Sequence, residues 1–140
     1  MREINEIILH CSATPEGREH DVADIRRWHV DGRGWSDIGY HFCILLDGTI
    51  EAGRPVARQG AHCKGHNKDT IGICYIGGCD KNMKPKDTMN HGQERAFLNL
   101  VETLRGVIGV EVKVQGHSTY APHKACPSFD VLEKWPTING

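Results

Sequence analysis

Apolar positions follow two rhythms along this chain, and each rhythm predicts a different element. "EIILH" (Glu6 to His10) is a short apolar run that ends at His10 and reads as a buried strand. "TIGICYIGG" (Thr70 to Gly78) reads as another buried strand closed by two glycines, and "EVKVQGH" (Glu111 to His117) as a last strand ending at His117. In "YHFCILLDGTIEAGR" (Tyr40 to Arg54), two strand-like runs flank Asp47-Gly48, which predicts a hairpin. Alternation along its first strand would send Tyr40 and His41 to opposite faces.

The helical rhythm appears in three places. Asp21 is placed to cap a helix with Val22, Ile25 and Trp28 on one face, ending at the glycines of "DGRGW". Trp28 and Trp35 are expected to pack that helix against the sheet. Asn90, with Gln93 three residues on, forms a capping-box signature. Phe97, Leu100, Val101, Leu104 and Ile108 follow it at i, i+3, i+4 spacing. "SFDVLEKW" reads as a short closing helix, and the polar stretch Asp80 to Asn90 as a surface loop. No repeat or linker divides the chain. The expectation is an α/β fold: one domain over residues 1–140, a central mixed β-sheet flanked by helices.

Composition changes this picture little. With a formal net charge of −1, the chain has no electrostatic reason to seek nucleic acid or an anionic membrane. No apolar run approaches the length of a membrane span, and none resembles the core of a signal peptide. A cytoplasmic location is therefore expected until something releases the protein. Six cysteines in that setting favour reduced thiols over a disulfide framework. Cys43 and Cys74 fall inside strand-like runs, where a thiol acts as a small buried hydrophobe.

Nine histidines are many for this length, and they cluster around Cys11, Cys63 and Cys126. His10 ends the first strand, His117 follows the last, and Cys126 lies in a loop stiffened by Pro122 and Pro127. If those strands are parallel neighbours, both imidazoles project from one edge of the sheet, outside its carboxyl ends. A His, His, Cys set suits a catalytic zinc with one open position. Spacing alone leaves this open, because neither HExxH nor paired CxxC is present. A satisfied strand-end histidine beside an ordinary buried thiol would look the same.

Five blocks then occur in a telling order: "HCSAT" (His10 to Thr14), "GYHF" (Gly39 to Phe42), "DGTIEAGR" (Asp47 to Arg54), "IGICYIGG" (Ile71 to Gly78) and "KACPSFD" (Lys124 to Asp130). In this the chain resembles the N-acetylmuramoyl-L-alanine amidases of the short phage-lysozyme type, within the wider family that includes the peptidoglycan recognition proteins. The resemblance runs from about Ile7 to Trp135. It implies a peptidoglycan recognition protein-like fold and a zinc hydrolase of endolysin type. The bond cut would be the amide between N-acetylmuramic acid and L-alanine in peptidoglycan.

Carried over by position, His10, His117 and Cys126 are the implied ligands of one Zn2+ per chain. Tyr40 and Lys124 are the implied catalytic pair. His62 matches a position that faces substrate, and Asn67 and Thr70 are candidate polar anchors for it. Arg54 and Arg58 are candidates for stem carboxylates, and a monomer is expected. The alternative is a non-catalytic peptidoglycan-binding module, disfavoured by the presence of Cys126, Tyr40 and Lys124. One departure stands out: "HSTYAPHKAC" (His117 to Cys126) is one residue longer than in the family pattern. The insertion falls at His123, which becomes a rival ligand or base, expected at the rim.

Overall fold

The computed structural model describes residues 2–140. Five strands form one sheet in the order β4-β3-β5-β1-β7. They are β1 (Glu6–Cys11), β3 (Phe42–Ile44), β4 (Ile50–Ala52), β5 (Thr70–Tyr75) and β7 (Lys113–Gly116). β1 pairs in parallel with both β5, the central strand, and β7, and β3 joins β5 in parallel. Only β4, the hairpin return, runs antiparallel. Thr14–Pro15 (β2) and Gly78–Cys79 (β6) make a small second sheet.

Burial on both faces explains why β1 and β5 read as unbroken apolar runs. Ile7, Leu9 and Cys11 of β1 join Ile71, Ile73 and Tyr75 of β5 in the larger core, against α2 (His91–Ile108). Strand alternation sends Ile8, His10, Gly72 and Cys74 to the opposite face. There Cys74 packs with Cys43, Ile76 and the Val22 and Ile25 side chains of α1 (Val22–Arg33).

Local signals hold where they are strongest. Asn90 caps α2 as half of a reciprocal box with Gln93, and Phe97, Leu100, Val101 and Leu104 are its buried face. Asp21 caps α1 in the same way, and Gly34 ends it in the left-handed conformation. Gly48 has the positive φ that the hairpin turn requires. α3 (Val131–Lys134) is the short closing helix, capped by Asp130.

Three expectations need correction. Trp28 is 39% exposed, whereas His29 faces inward. A 3.6-residue period continues Val22 and Ile25 to position 29, because a strict three-residue step drifts off the face. Tyr40 and His41 precede β3 rather than opening it, although backbone bonds from His41 to Gly72 and from Arg54 to Tyr40 extend the pairing. Arg54 is buried, its guanidinium donating to the Ile38 and Gln59 carbonyls, so it is a structural brace unavailable to substrate.

Candidate active site

His10 is the penultimate residue of β1 and stands on the sheet face opposite α2, rather than at the strand's end. β7 lies directly beside β1, and the chain leaves it through a single 3-10 turn that begins at His117. The two imidazoles thus approach to 4.5 Å between ring centroids. Cys126 comes from the following loop, more than a hundred residues from its neighbour. Its sulfur accepts the Cys11 backbone N–H at 3.1 Å, and the Tyr75 hydroxyl ties the same loop to the sheet through the Pro127 carbonyl at 2.6 Å. Gly116 permits this approach, because a Cβ there would meet the Pro127 ring at 2.9 Å.

One ligand atom from each of His10, His117 and Cys126 therefore lies within 4.8 Å of the others. Two imidazoles and a sulfur at that spacing are a donor set suited to zinc. His123 stands outside the group, exposed on the cleft rim, as the insertion argument expected.

Of the three, His117 lines a cleft of about 610 Å³. Tyr40 and Lys124 both line it, beside His117. The Tyr40 ring lies tilted against the His10 ring, 5.0 Å between centroids. Burial, with neighbouring thiols adding to it, raises the Tyr40 phenol well above its ordinary pKa, so it stays a proton donor. Lys124 is exposed and has no ion-pair partner among the described residues. No Asp or Glu lines the cleft among the described residues, whereas Arg33, Lys64 and Lys124 do.

Of the expected substrate contacts, Asn67 and His62 line the cleft, and the Asn67 side-chain oxygen is already taken by the His62 and Cys63 N–H groups. Thr70 is 2% exposed and does not reach the cleft. His62 borders the cleft, yet both ring nitrogens are occupied within the protein: Nδ1 lies 2.8 Å from His10 Nε2, and Nε2 lies 3.1 Å from Thr70 Oγ1. Arg58 is exposed away from the cleft.

Sequence reasoning missed His29, Arg33 and Tyr120 as cleft residues. His29 accepts the Gly39 N–H on Nδ1 at 2.9 Å and lies tilted against Trp35, while Arg33 lies over the Trp35 ring. Tyr120 stacks on His66 at 3.8 Å and donates to Glu6 at 2.7 Å. Helical periodicity carried one step further would have found His29.

The N-acetylmuramoyl-L-alanine amidase family model matches residues 1–129. This chain belongs to that amidase family. It is 41% identical over 134 residues to an endolysin of Enterobacteria phage K11, covering 96% of this chain and 86% of the phage protein. Among solved structures, N-acetylmuramoyl-L-alanine amidase LysC of Clostridium intestinale superposes with a TM-score of 0.77 at 28% identity, over 95% of this chain and 83% of that one. The ectodomain complex of peptidoglycan recognition proteins LCa and LCx bound to tracheal cytotoxin gives 0.79 at 27%, over 97% and 84%. The amidase is thus an enzyme built on the peptidoglycan recognition protein fold.

Several histidines of the amidase are held neutral. Burial is the main cause in each case, lowering His29 and His41 to about 4 and His62 to about 3. In the unfolded chain such groups titrate near about 6.5. Between about 6.5 and 4 the unfolded state therefore binds protons that the native state refuses, and stability falls as pH falls; above about 6.5 both states are neutral and the contribution is complete. The urea midpoint of the metal-free protein is expected to stay level above that window and drop through it. A level midpoint across the window would show that these rings do not resist protonation.

Proposed function

We propose that this chain is a zinc-dependent amidase of endolysin type. It would cut the bond between N-acetylmuramic acid and L-alanine once released to the cell wall. Residues 1–140 would act as one catalytic domain and as a monomer, with peptidoglycan as substrate. The observation that carries this reading is the convergence of His10, His117 and Cys126, with His117 lining a cleft that Tyr40 and Lys124 also line.

In this reading His10, His117 and Cys126 hold one zinc ion. Bound there, zinc acidifies a water molecule and polarises the scissile carbonyl. Lys124 offers a cationic donor to the oxygen that gains charge as the amide becomes tetrahedral. Tyr40, kept protonated by its surroundings, donates a hydrogen bond at the reacting centre and orders water there. Arg33 and Lys64 give the cleft a basic lining suited to the carboxylates of the peptide stem. His29 adds a fixed donor: since its Nδ1 accepts from Gly39, its proton resides on Nε2.

The test is hydrolysis of purified sacculi. Chelation is expected to abolish release of L-alanine amino groups, and added zinc to restore it. Protein that still sediments with sacculi but regains no hydrolysis with zinc would mark a binding module instead. No helix among the described residues is long and apolar enough to cross a membrane.

A further inference from the structure

We propose that Thr70 and His62 form a hydrogen-bond relay that fixes the tautomer of His10 and presents its Nδ1 lone pair to the metal. This rests on the reading of His10 as a ligand. The His66 carbonyl oxygen can only accept, and Thr70 Oγ1 lies 2.6 Å from it. The single hydroxyl proton of Thr70 is therefore spent there.

Everything upstream follows from that constraint. Thr70 Oγ1 must accept from His62 Nε2, 3.1 Å away, so the His62 proton is on Nε2. Both rings are buried, at 8% and 1% exposure for His62 and His10, which disfavours a charge on either. A neutral His62 then has a bare Nδ1, which accepts from His10 Nε2 at 2.8 Å. His10 is left protonated on Nε2 and unprotonated on Nδ1. A metal-bound imidazole needs this arrangement, with its other N–H held by a fixed acceptor.

The relay is held rigid from several sides. Asn67 Oδ1 takes both the His62 and Cys63 N–H groups at 2.9 Å, and the His66 N–H closes the loop onto the Cys63 carbonyl. Gly72 in the middle of β5 supplies the slot for the ring, since a Cβ there would meet His62 Cγ at 2.5 Å. Gly60 does the same from the loop, where a Cβ would lie 2.8 Å from His62 Cδ2. A histidine meant only to touch substrate would need none of this enclosure. His62 and Thr70 are positioning residues, one and two hydrogen bonds behind the ligand.

Two measurements test the relay. In the metal-free wild type, long-range proton–nitrogen NMR is expected to show His10 and His62 both as Nε2–H tautomers. This requires no variant and no zinc. Thr70→Val, which keeps the shape and removes the hydroxyl, is expected to lower zinc affinity about tenfold in chelator competition, while Thr70→Ser restores it. Backbone NMR spectra of both variants report whether the fold is intact. His10 found as the Nδ1–H tautomer, or a folded Thr70→Val binding zinc as tightly as wild type, would overturn the relay alone. A wild-type chain with no zinc affinity would instead overturn the metal centre, and the relay's purpose with it.

Discussion

Cys126→Ser is expected to lose zinc while keeping its fold. The loss should exceed the roughly 10–100-fold drop in affinity that changes behind a ligand produce, because a ligand itself is removed. The physical reason lies in the donor. A thiolate brings a full negative charge and a soft, polarisable atom, whereas a serine hydroxyl stays protonated and binds zinc poorly. In the metal-free protein the hydrogen bond with the Cys11 sulfur, together with burial, holds the Cys126 thiol above its ordinary pKa. Metal binding must therefore expel a proton, and affinity should rise with pH. The fold survives because the serine oxygen can take over the Cys11 N–H that the sulfur now accepts. Zinc per chain by mass spectrometry and hydrolysis of sacculi should fall together. Equal zinc content in the two proteins would remove Cys126 from the centre and transfer its role to His123 on the rim.

Lys124→Ala should leave the metal in place and slow the chemistry. The side chain is exposed, bears no ion pair among the described residues, and lines the cleft beside His117. Its charge adds to burial in depressing both His10 and His117, which places it within electrostatic reach of the ligand cluster. An amide carbonyl in the ground state carries little charge, and the tetrahedral oxygen carries a full one. A cation aimed there therefore favours the transition state over bound substrate. Removing such a donor costs about 10²–10³ in kcat. We expect a loss of that size with KM nearly unchanged and zinc content intact, measured on a soluble muropeptide. A kcat within about threefold of wild type would return Lys124 to the status of a solvated surface lysine.

The two variants separate two kinds of contribution. One removes the ion, so everything that depends on it collapses together. The other keeps the ion and removes a charge that matters only during the reaction.

Much of the fold was legible because its signals are local. The Asn90 and Gln93 pair caps α2 across one turn, and the turn at Gly48 closes over a few residues. The parallel placement of β1 beside β7 was also anticipated, as a condition for bringing His10 to His117. Where the reading failed, the deciding contact came from far along the chain. The spacing of apolar residues alone points Trp28 inward, but the buried position belongs to a polar ring, His29, that lies tilted against Trp35 and Tyr40. Arg54 is a candidate for stem carboxylates by sequence, yet its guanidinium donates to the Ile38 and Gln59 carbonyls instead. Gly72 was a usable signal, since a glycine inside a strand often marks a close approach. It did not reveal that the approaching group is the His62 ring.

By itself the sequence determined the elements, their caps and the inventory of imidazole, thiol, phenol and amine groups, because these depend on interactions across a few neighbouring residues. Resemblance of ordered blocks added the family. Tertiary structure alone decided which donors meet and which ring nitrogens remain free. His10 and His62 are 52 residues apart, and Cys11 and Cys126 are 115 apart. Contacts of that range are set by strand order and by the room two glycines leave, and neither is encoded in any short stretch of chain.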